Sequence, residues 1–318
     1  MNRIIVSTEH DPYQNLALEE ELLFTPHEGI WLYLWQNQNT VVIGRNQNPY
    51  LECNLSYMNQ KGIRLARRLS GGGAVYHDLG NLNYTFLGQE KDLNPKRQTQ
   101  LLSRVLRSFG IACTFSGRND LLCAGRKCSG QAYYYEDGFG YHHGTFLIDT
   151  DLATMEQVLT PSSLKLEAKG ISSVRSRVVN LKELSASVTT EKVAHRLIEY
   201  FAEEYGDKAD DGSKDPFKEL IIWDFKAHLP KKATEYSSSR WLFGKCPDYE
   251  ATMDLQTEAG IFRLQARVEA GMIQAASLSS DSLDPFVIRN LEEKMVGCLF
   301  EERAIRECLM TDSITSLT

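Results

Sequence analysis

Residues Arg67 to Asn83 read Arg-Arg-Leu-Ser-Gly-Gly-Gly-Ala-Val-Tyr-His-Asp-Leu-Gly-Asn-Leu-Asn, and they hold most of the chemistry visible in the chain. Three adjacent glycines leave a backbone with no side-chain cover and free access to positive φ. Such a backbone can turn its N–H groups onto an anion at close range. Arg67 and Arg68 put positive charge and bidentate donors beside it. His77, Asp78, Asn81 and Asn83 follow closely. A bare hairpin turn needs neither the arginines nor the polar cluster, so the stretch reads as the floor of a site for an anionic small molecule.

Two familiar phosphate sites do not fit. A P-loop needs a lysine and a hydroxyl residue directly after its last glycine, opening a helix; here Ala74, Val75 and Tyr76 follow, a β-prone run. A dinucleotide fingerprint needs spaced glycines in a strand–helix–strand unit, and that spacing is absent. Leu82, Tyr84 and Phe86 alternate with Asn83 and Thr85, the period of a strand. The glycine loop therefore joins strands.

Four further blocks carry chemistry. They are Arg118-Asn119-Asp120 with Gly125-Arg126-Lys127-Cys128-Ser129-Gly130-Gln131-Ala132; His142-His143-Gly144-Thr145-Phe146-Leu147; Lys169 to Leu181 with Arg175 and Arg177; and Asp281-Ser282-Leu283-Asp284-Pro285. Together with the glycine loop, and in this order, they resemble the lipoate–protein ligase family, of the bacterial ligase A type with a C-terminal accessory domain. The resemblance covers nearly the whole chain. It implies ATP-dependent activation of lipoate to lipoyl-AMP, with Mg²⁺ offsetting the phosphate charge. It further implies transfer of the lipoyl group to a lysine of apo lipoyl domains, those of 2-oxoacid dehydrogenase E2 subunits and the glycine cleavage H protein. A lipoyl or octanoyl transferase that uses a preformed acyl donor shares most of these residues. A non-catalytic lipoate-binding protein is a rival from another class. Biotin–protein ligase runs a related reaction, but its basic Gly-Arg-rich loop is not seen.

The same resemblance assigns the site. Lys127 is the catalytic residue, holding the lipoate carboxylate against the α-phosphate and later the acyl carbonyl and phosphate of the adenylate. Arg68 contacts phosphate. Gly73, Ala74, Val75, Tyr76 and His77 line nucleotide and lipoate, Asn81 belongs to the nucleotide site, and Asp120 orients a cation or the base. Ser129 and Gly130 accompany Lys127, and His143 with Thr145 faces the site. Plainer readings stand beside these: Val75 as strand core, His77 as a structural histidine, Asp120 in an Asx-turn. Lys165, Lys169, Arg175 and Arg177 form a basic, Ser- and Gly-rich segment, read as a loop that closes over the adenylate and excludes water. His142 and His143 are adjacent, so in a strand they face opposite sides; no metal ligand set follows. Cys128 stands where the family often has an aliphatic residue. A nucleophilic thiol would make a thioester-forming acyltransferase, but a small strand residue facing away from Lys127 is the preferred reading.

These residues need a scaffold, and 318 residues suffice for two domains. Asn15 to Phe24 reads as an acidic amphipathic helix. Trp31 to Trp35 and Thr40 to Gly44 read as strands joined by an Asn/Gln-rich turn, with further strands near Arg64, Tyr84, Leu121, Ala132 and Phe146. Helices are predicted over Lys96–Phe109, Asp151–Leu159 and Glu191–Tyr205. Gly206–Pro216 reads as an exposed loop and Trp241–Pro247 as a linker. Beyond it lie strands at Ala251–Leu255, Ile261–Val268 and Met272–Leu278 and helices at Val287–Cys298 and Arg303–Leu309. The fold class is therefore α+β: a mixed-sheet catalytic domain of the biotin/lipoate protein ligase type over 1–245, and a small α+β C-terminal domain over 246–318.

Composition narrows the partners. A formal net charge of -7 argues against a general nucleic-acid binder. Seven cysteines without a CxxC pair suggest reduced thiols, neither a disulfide framework nor a zinc ribbon. Met1 to Ser7 is no secretory signal, and no apolar run is long enough to span a bilayer. A cytoplasmic monomer, with neither nucleic acid nor membrane as partner, is the expectation.

Overall fold

Asp11 starts the first helix: its carboxylate accepts hydrogen bonds from the Tyr13 and Gln14 N–H groups, and Pro12 follows at the first turn, where its missing N–H costs nothing. The computed structural model describes residues 2–116, 120–160, 177–206, 220–244, 249–257, 260–280 and 285–310. In chain order, the first compact unit contains β1 (Arg3–Ser7), α1 (Pro12–Phe24), β2 (Trp31–Trp35), β3 (Thr40–Ile43), α2 (Pro49–Glu52), α3 (Leu55–Lys61), β4 (Arg64–Arg67), β5 (Val75–His77) and β6 (Asn81–Gln89). It continues with α4 (Pro95–Arg107), β7 (Cys113–Phe115), β8 (Asp120–Cys123), β9 (Arg126–Glu136), β10 (Phe139–Leu147), α5 (Leu152–Val158), α6 (Leu181–Leu184), α7 (Thr190–Tyr205), β11 (Leu220–Trp223) and α8 (Ala233–Tyr236). That unit comprises Met1–Arg45 and Pro49–Ser237.

Among the described residues, eight strands form one sheet in the order β11-β1-β2-β6-β10-β9-β8-β7, with β1 parallel to both its neighbours and the rest antiparallel. A second sheet, β4-β3-β5, carries the glycine loop between β4 and β5. The large sheet has two unlike faces. Leu82, Tyr84, Phe86 and Phe146 point into an apolar core. There they meet Leu101, Leu102, Val105 and Leu106 of α4 and Val193, Leu197 and Phe201 of α7. In α4 the buried positions 98, 101, 102, 105 and 106 repeat at helical spacing. The other face of β6 is just as buried, yet it carries Asn81, Asn83 and Thr85. A strand that buries polar side chains on one face and apolar ones on the other marks the wall of a site.

Helix α1 differs from the acidic amphipathic helix the sequence suggests. It is buried nearly all round, Glu19 and Glu20 included. Partners distant in sequence make that tolerable: Thr85 and His143 for Glu19, and Lys232 for Glu20.

The second unit comprises Asn46–Asn48 and Ser238–Thr318. It holds α9 (Ser239–Phe243), an antiparallel meander of β12 (Tyr249–Thr257), β13 (Gly260–Glu269) and β14 (Met272–Ser280), and helices α10 (Pro285–Met295) and α11 (Glu302–Met310). Trp241 to Phe243, expected in a linker, are helical because Ser238 caps the turn, its hydroxyl accepting from the Trp241 N–H. The rest of that expected linker from 245 onward, the loop expected beyond Gly206, Arg118, Asn119, Lys165, Lys169, Arg175 and the Asp281–Asp284 run lie outside the described residues. No helix among the described residues is long and apolar enough to cross a membrane.

Candidate active site

The polar face of the sheet is built in cross-strand rows. Trp35 lies opposite Asn83, and Asn83 opposite Thr145. The Gly144–Gln131 pair joins β10 to β9, and Gly130 lies opposite Asp120 on β8. At roughly 4.8 Å per strand, this row runs about 14 Å from Trp35 to Gly130. Above it lies a cavity of about 600 Å³, counting its open mouth, lined also by Leu16, Val42, Arg68, Gly72, Gly73, Ala74, Val75, His77, Lys127, Ala132 and His143. Its apolar and aromatic walls with a few polar groups are those of a small-molecule site.

Lys127 reaches this face through an irregularity. Leu121 pairs with Ser129 and Leu122 with Lys127, which leaves Cys128 unopposed as a β-bulge. The extra residue turns Lys127 onto the side of Gly130, while Cys128 and Ser129 point into the core. Cys128 Sγ lies 3.0 Å from Cys123 Sγ, and Ser129 Oγ 3.1 Å from the Tyr84 hydroxyl. Gly130 makes room for the lysine: a Cβ there would stand 2.6 Å from Lys127 Nζ. The ammonium rests on Asp120 Oδ1 at 2.8 Å, a partly exposed pair. Such a pair is worth at most about 1 kcal/mol, so a ligand can take the lysine over cheaply. The chain beyond the basic segment returns here, where the Val179 N–H donates to the Lys127 carbonyl at 2.9 Å.

Arg68 is buried beneath the glycine loop. Its guanidinium donates to Val42 O, Ser70 Oγ, Gly71 O and Gly73 O at 2.7–3.2 Å. Burial pushes it down to about 10, so it stays cationic at neutral pH. Gly72, at φ +96°, lies against the same guanidinium. Arg68 thus lines the cavity and also braces the loop.

His143 and His142 lie on opposite faces. His142 is in the core side of β10, with its ring nitrogens 2.8 Å from Gln98 Oε1 and 3.1 Å from Gln131 Oε1. His143 faces the cavity: its Nδ1–H donates to Glu19 Oε1 at 2.9 Å, and Ser70 Oγ donates to its Nε2 at 2.8 Å. Thr85 Oγ1 also donates to Glu19, and Trp35 Nε1 to Thr85. Ser70, His143 and Glu19 follow the order of a hydrolase triad. Ser70 nevertheless has no exposed surface and its hydroxyl oxygen accepts from Arg68 Nε, so the three act as a brace and hold no nucleophile.

Of the residues singled out in the sequence, Arg68, Gly73, Ala74, Val75, His77, Lys127, Gly130, His143 and Thr145 share the cavity wall. Asp120 enters through its pair with Lys127. Tyr76 is buried with its hydroxyl on Asn39 Oδ1, and Asn81 is buried behind Asn83, to whose Oδ1 it donates at 2.9 Å. Glu19 and Trp35 escaped the sequence reading as site residues, while Ser70 and Asn83 stood within the Arg67–Asn83 stretch without roles of their own. The visible signal for Asn83 is the polar phase of β6: asparagine and threonine without charge, the composition of a buried polar face.

The family model described as the lipoyl protein ligase A/B catalytic domain matches residues 11–202, and that of the bacterial lipoate protein ligase C-terminus matches 246–316. The fold is that of a protein-modifying ligase, and the chain is an enzyme of that class. It belongs to the lipoate protein ligase family, whose chemistry is lipoate activation and transfer. The chain is 28% identical to LipL1 of Plasmodium falciparum, solved in complex with lipoate, over 98% of this chain and 95% of that one, with a TM-score of 0.66. It is 27% identical to the bipartite lipoate protein ligase of Thermoplasma acidophilum, solved in a study of that ligase and its E2 lipoyl domain, over 76% and 95%, with a TM-score of 0.63. A lipoate-protein ligase A bound with ATP is 25% identical over 76% and 97%, with a TM-score of 0.61.

Proposed function

We propose that this enzyme, working in the cytoplasm as a monomer, binds lipoate and ATP in the cavity above Gly130. There it forms lipoyl-AMP and transfers the lipoyl group to one lysine of an apo lipoyl domain. The observation that carries this reading is the position of Lys127. Its ammonium, held by a partly exposed pair, stands in the same cavity wall as the Gly72–Val75 loop. Relatives solved with lipoate, with ATP and in a study with a lipoyl domain support the choice of substrates.

In the first step a lipoate carboxylate oxygen attacks the α-phosphorus of ATP, and the bond to the pyrophosphate leaving group breaks. Lys127 leaves Asp120 and bridges the two anions, stabilising charge as it develops. In the second step the neutral ε-amine of the acceptor lysine attacks the acyl carbon and AMP departs. Catalysis is mostly positioning. The apolar side of the cavity, Leu16, Trp35 and Val42, receives the acyl tail, where each buried methylene contributes about 0.8 kcal/mol. Among the described residues no three His, Cys, Asp or Glu side chains converge as a metal cage. Mg²⁺ would arrive with the nucleotide and offset its phosphate charge. Residues 1–245 do this chemistry, with 246–318 as accessory domain; lipoyl domains of 2-oxoacid dehydrogenase complexes and the H protein are the acceptors.

Intact mass spectrometry of an apo lipoyl domain with enzyme, lipoate, ATP and Mg²⁺ tests this. A lipoyl increment that vanishes without ATP is the expected outcome, and Lys127→Ala should lose it while remaining folded. An increment from synthetic lipoyl-AMP alone would identify a transferase without the activation step.

A further inference from the structure

On the face of the sheet turned away from the cavity, three cysteines stand in a row from the surface to the residue beside Lys127. Cys113 of β7 lies directly opposite Cys123 of β8, so the two side chains share one face. Opposed residues of an antiparallel pair have Cα atoms about 4.5–5.5 Å apart, within the span of a disulfide. Cys123 Sγ stands 3.0 Å from Cys128 Sγ and within hydrogen-bonding reach of Cys113. Cys113 is half-buried, while Cys123 and Cys128 are fully buried. The two-residue turn between β8 and β9, Ala124 and Gly125 at φ +49° and +75°, is the tight hairpin type that holds Cys123 and Cys128 close. Cys128 is also the unopposed residue of the bulge that turns Lys127 onto the cavity face. Among the described residues no three such side chains converge as a metal set, which leaves sulfur–sulfur chemistry to the row. The Cys113 thiol is held well above its ordinary value, by its hydrogen bond to Cys123 and then by burial. Thiols of high pKa oxidise slowly and leave slowly once bonded, so the row suits a latch better than a rapid shuttle.

We propose that Cys113, Cys123 and Cys128 form an oxidative latch: a small-molecule disulfide enters at Cys113, and the bond ends between Cys123 and Cys128, where it displaces Lys127. In the first step the Cys113 thiolate attacks one sulfur of the oxidant, whose S–S bond breaks and releases one thiol. Cys123 Sγ then attacks Cys113 Sγ, which releases the second thiol and leaves a cross-strand disulfide. Finally Cys128 Sγ attacks Cys123 Sγ, the bond to Cys113 breaks, and the proton lost by Cys128 ends on Cys113. In net, two protein thiols are oxidised and the small disulfide is reduced to two thiols. Bonded sulfurs sit about 2.0 Å apart, roughly 1 Å closer than in the reduced pair, and the bulge beside Lys127 must take up the difference. The effect on turnover rests on the role of Lys127 proposed above; the formation of the bond does not.

The test incubates the reduced full-length protein with oxidised glutathione, removes the reagent by gel filtration, and divides the sample between non-reducing peptide mapping and the lipoyl-transfer assay. The expected result is a Cys123–Cys128 disulfide, formed over minutes to hours. Transfer should fall about 100-fold, the cost of an ångström of misplacement, and recover after treatment with dithiothreitol and a second gel filtration. Cys128→Ala should stop at the Cys113–Cys123 bond and keep its transfer activity after oxidation. Cys113→Ala should form the Cys123–Cys128 bond about tenfold more slowly or worse, because its entry point is gone. Free thiols at both 123 and 128 after prolonged oxidation of the wild-type protein overturn the proposal even if neither variant folds. A Cys123–Cys128 bond with undiminished transfer overturns it as well, and so does an unchanged oxidation rate in Cys113→Ala. A reduced protein without transfer activity overturns the functional reading, while the peptide map still decides whether the bond forms.

Discussion

A single missing side chain decides where Lys127 points. At Gly130 an added Cβ would meet only the end of the Lys127 side chain, a flexible group that can move aside. Gly130→Ala should therefore leave stability nearly unchanged and lower turnover by about 100-fold, since an ångström of misplacement can cost that much; thermal melts and adenylation rates on the same sample check it. Gly144 offers the contrast, because a Cβ there would stand 2.6 Å from the Gly130 backbone oxygen, which cannot yield. Burial also holds the two neutral imidazoles His77 and His142 far below the ordinary 6.5, at about 3. The positive charge of Arg68 adds to this at His77. With the folded value below the unfolded one, the unfolded chain binds more protons as pH falls. Stability should be unaffected above about pH 6.5. Below it the loss is about 1.4 kcal/mol per pH unit for each histidine, continuing down to about pH 3. Urea midpoints at pH 7, 6 and 5 check the slope, and a flat profile would contradict the assignment.

At the scale of elements, regular periodicity was legible and its interruptions were not. The alternation of Leu82, Tyr84 and Phe86 with Asn83 and Thr85 is the alternation of β6, and the opposite facing of His142 and His143 follows from the same period of two. The helices α4, α5 and α7 lie within a few residues of their sequence-predicted spans. The bulge at Cys128 was hidden, because it depends on how β8 pairs with β9 and not on either strand alone. The burial of Glu19 was hidden likewise, since its partners Thr85 and His143 come from strands far along the chain. The bulge also bears on chemistry. Cys128 is fully buried against Cys123, so Cys128→Ser should retain lipoyl transfer within a few-fold. Near-total loss with the fold intact, by transfer assay and circular dichroism, would restore the thioester reading.

Across the whole molecule, the large sheet is at once the back of the apolar core and the floor of the cavity. A ligand bound to the folded chain alone stabilises it by mass action, by about 2.7 kcal/mol at a hundred times its dissociation constant. Lipoate or ATP should therefore raise the melting temperature of the wild-type protein more than that of Lys127→Ala, as calorimetry can measure. The two-faced sheet also has an evolutionary reading. Along β6 and β10, successive codons answer to different masters: Asn83, His143 and Thr145 to the cavity, and Leu82, Tyr84, Phe86, His142 and Phe146 to the stability of the core. Substrate preference can drift by changes at every second position while the positions between stay fixed. A saturation library scored separately for abundance and for lipoyl transfer should show the two scores falling out of phase, residue by residue, along both strands.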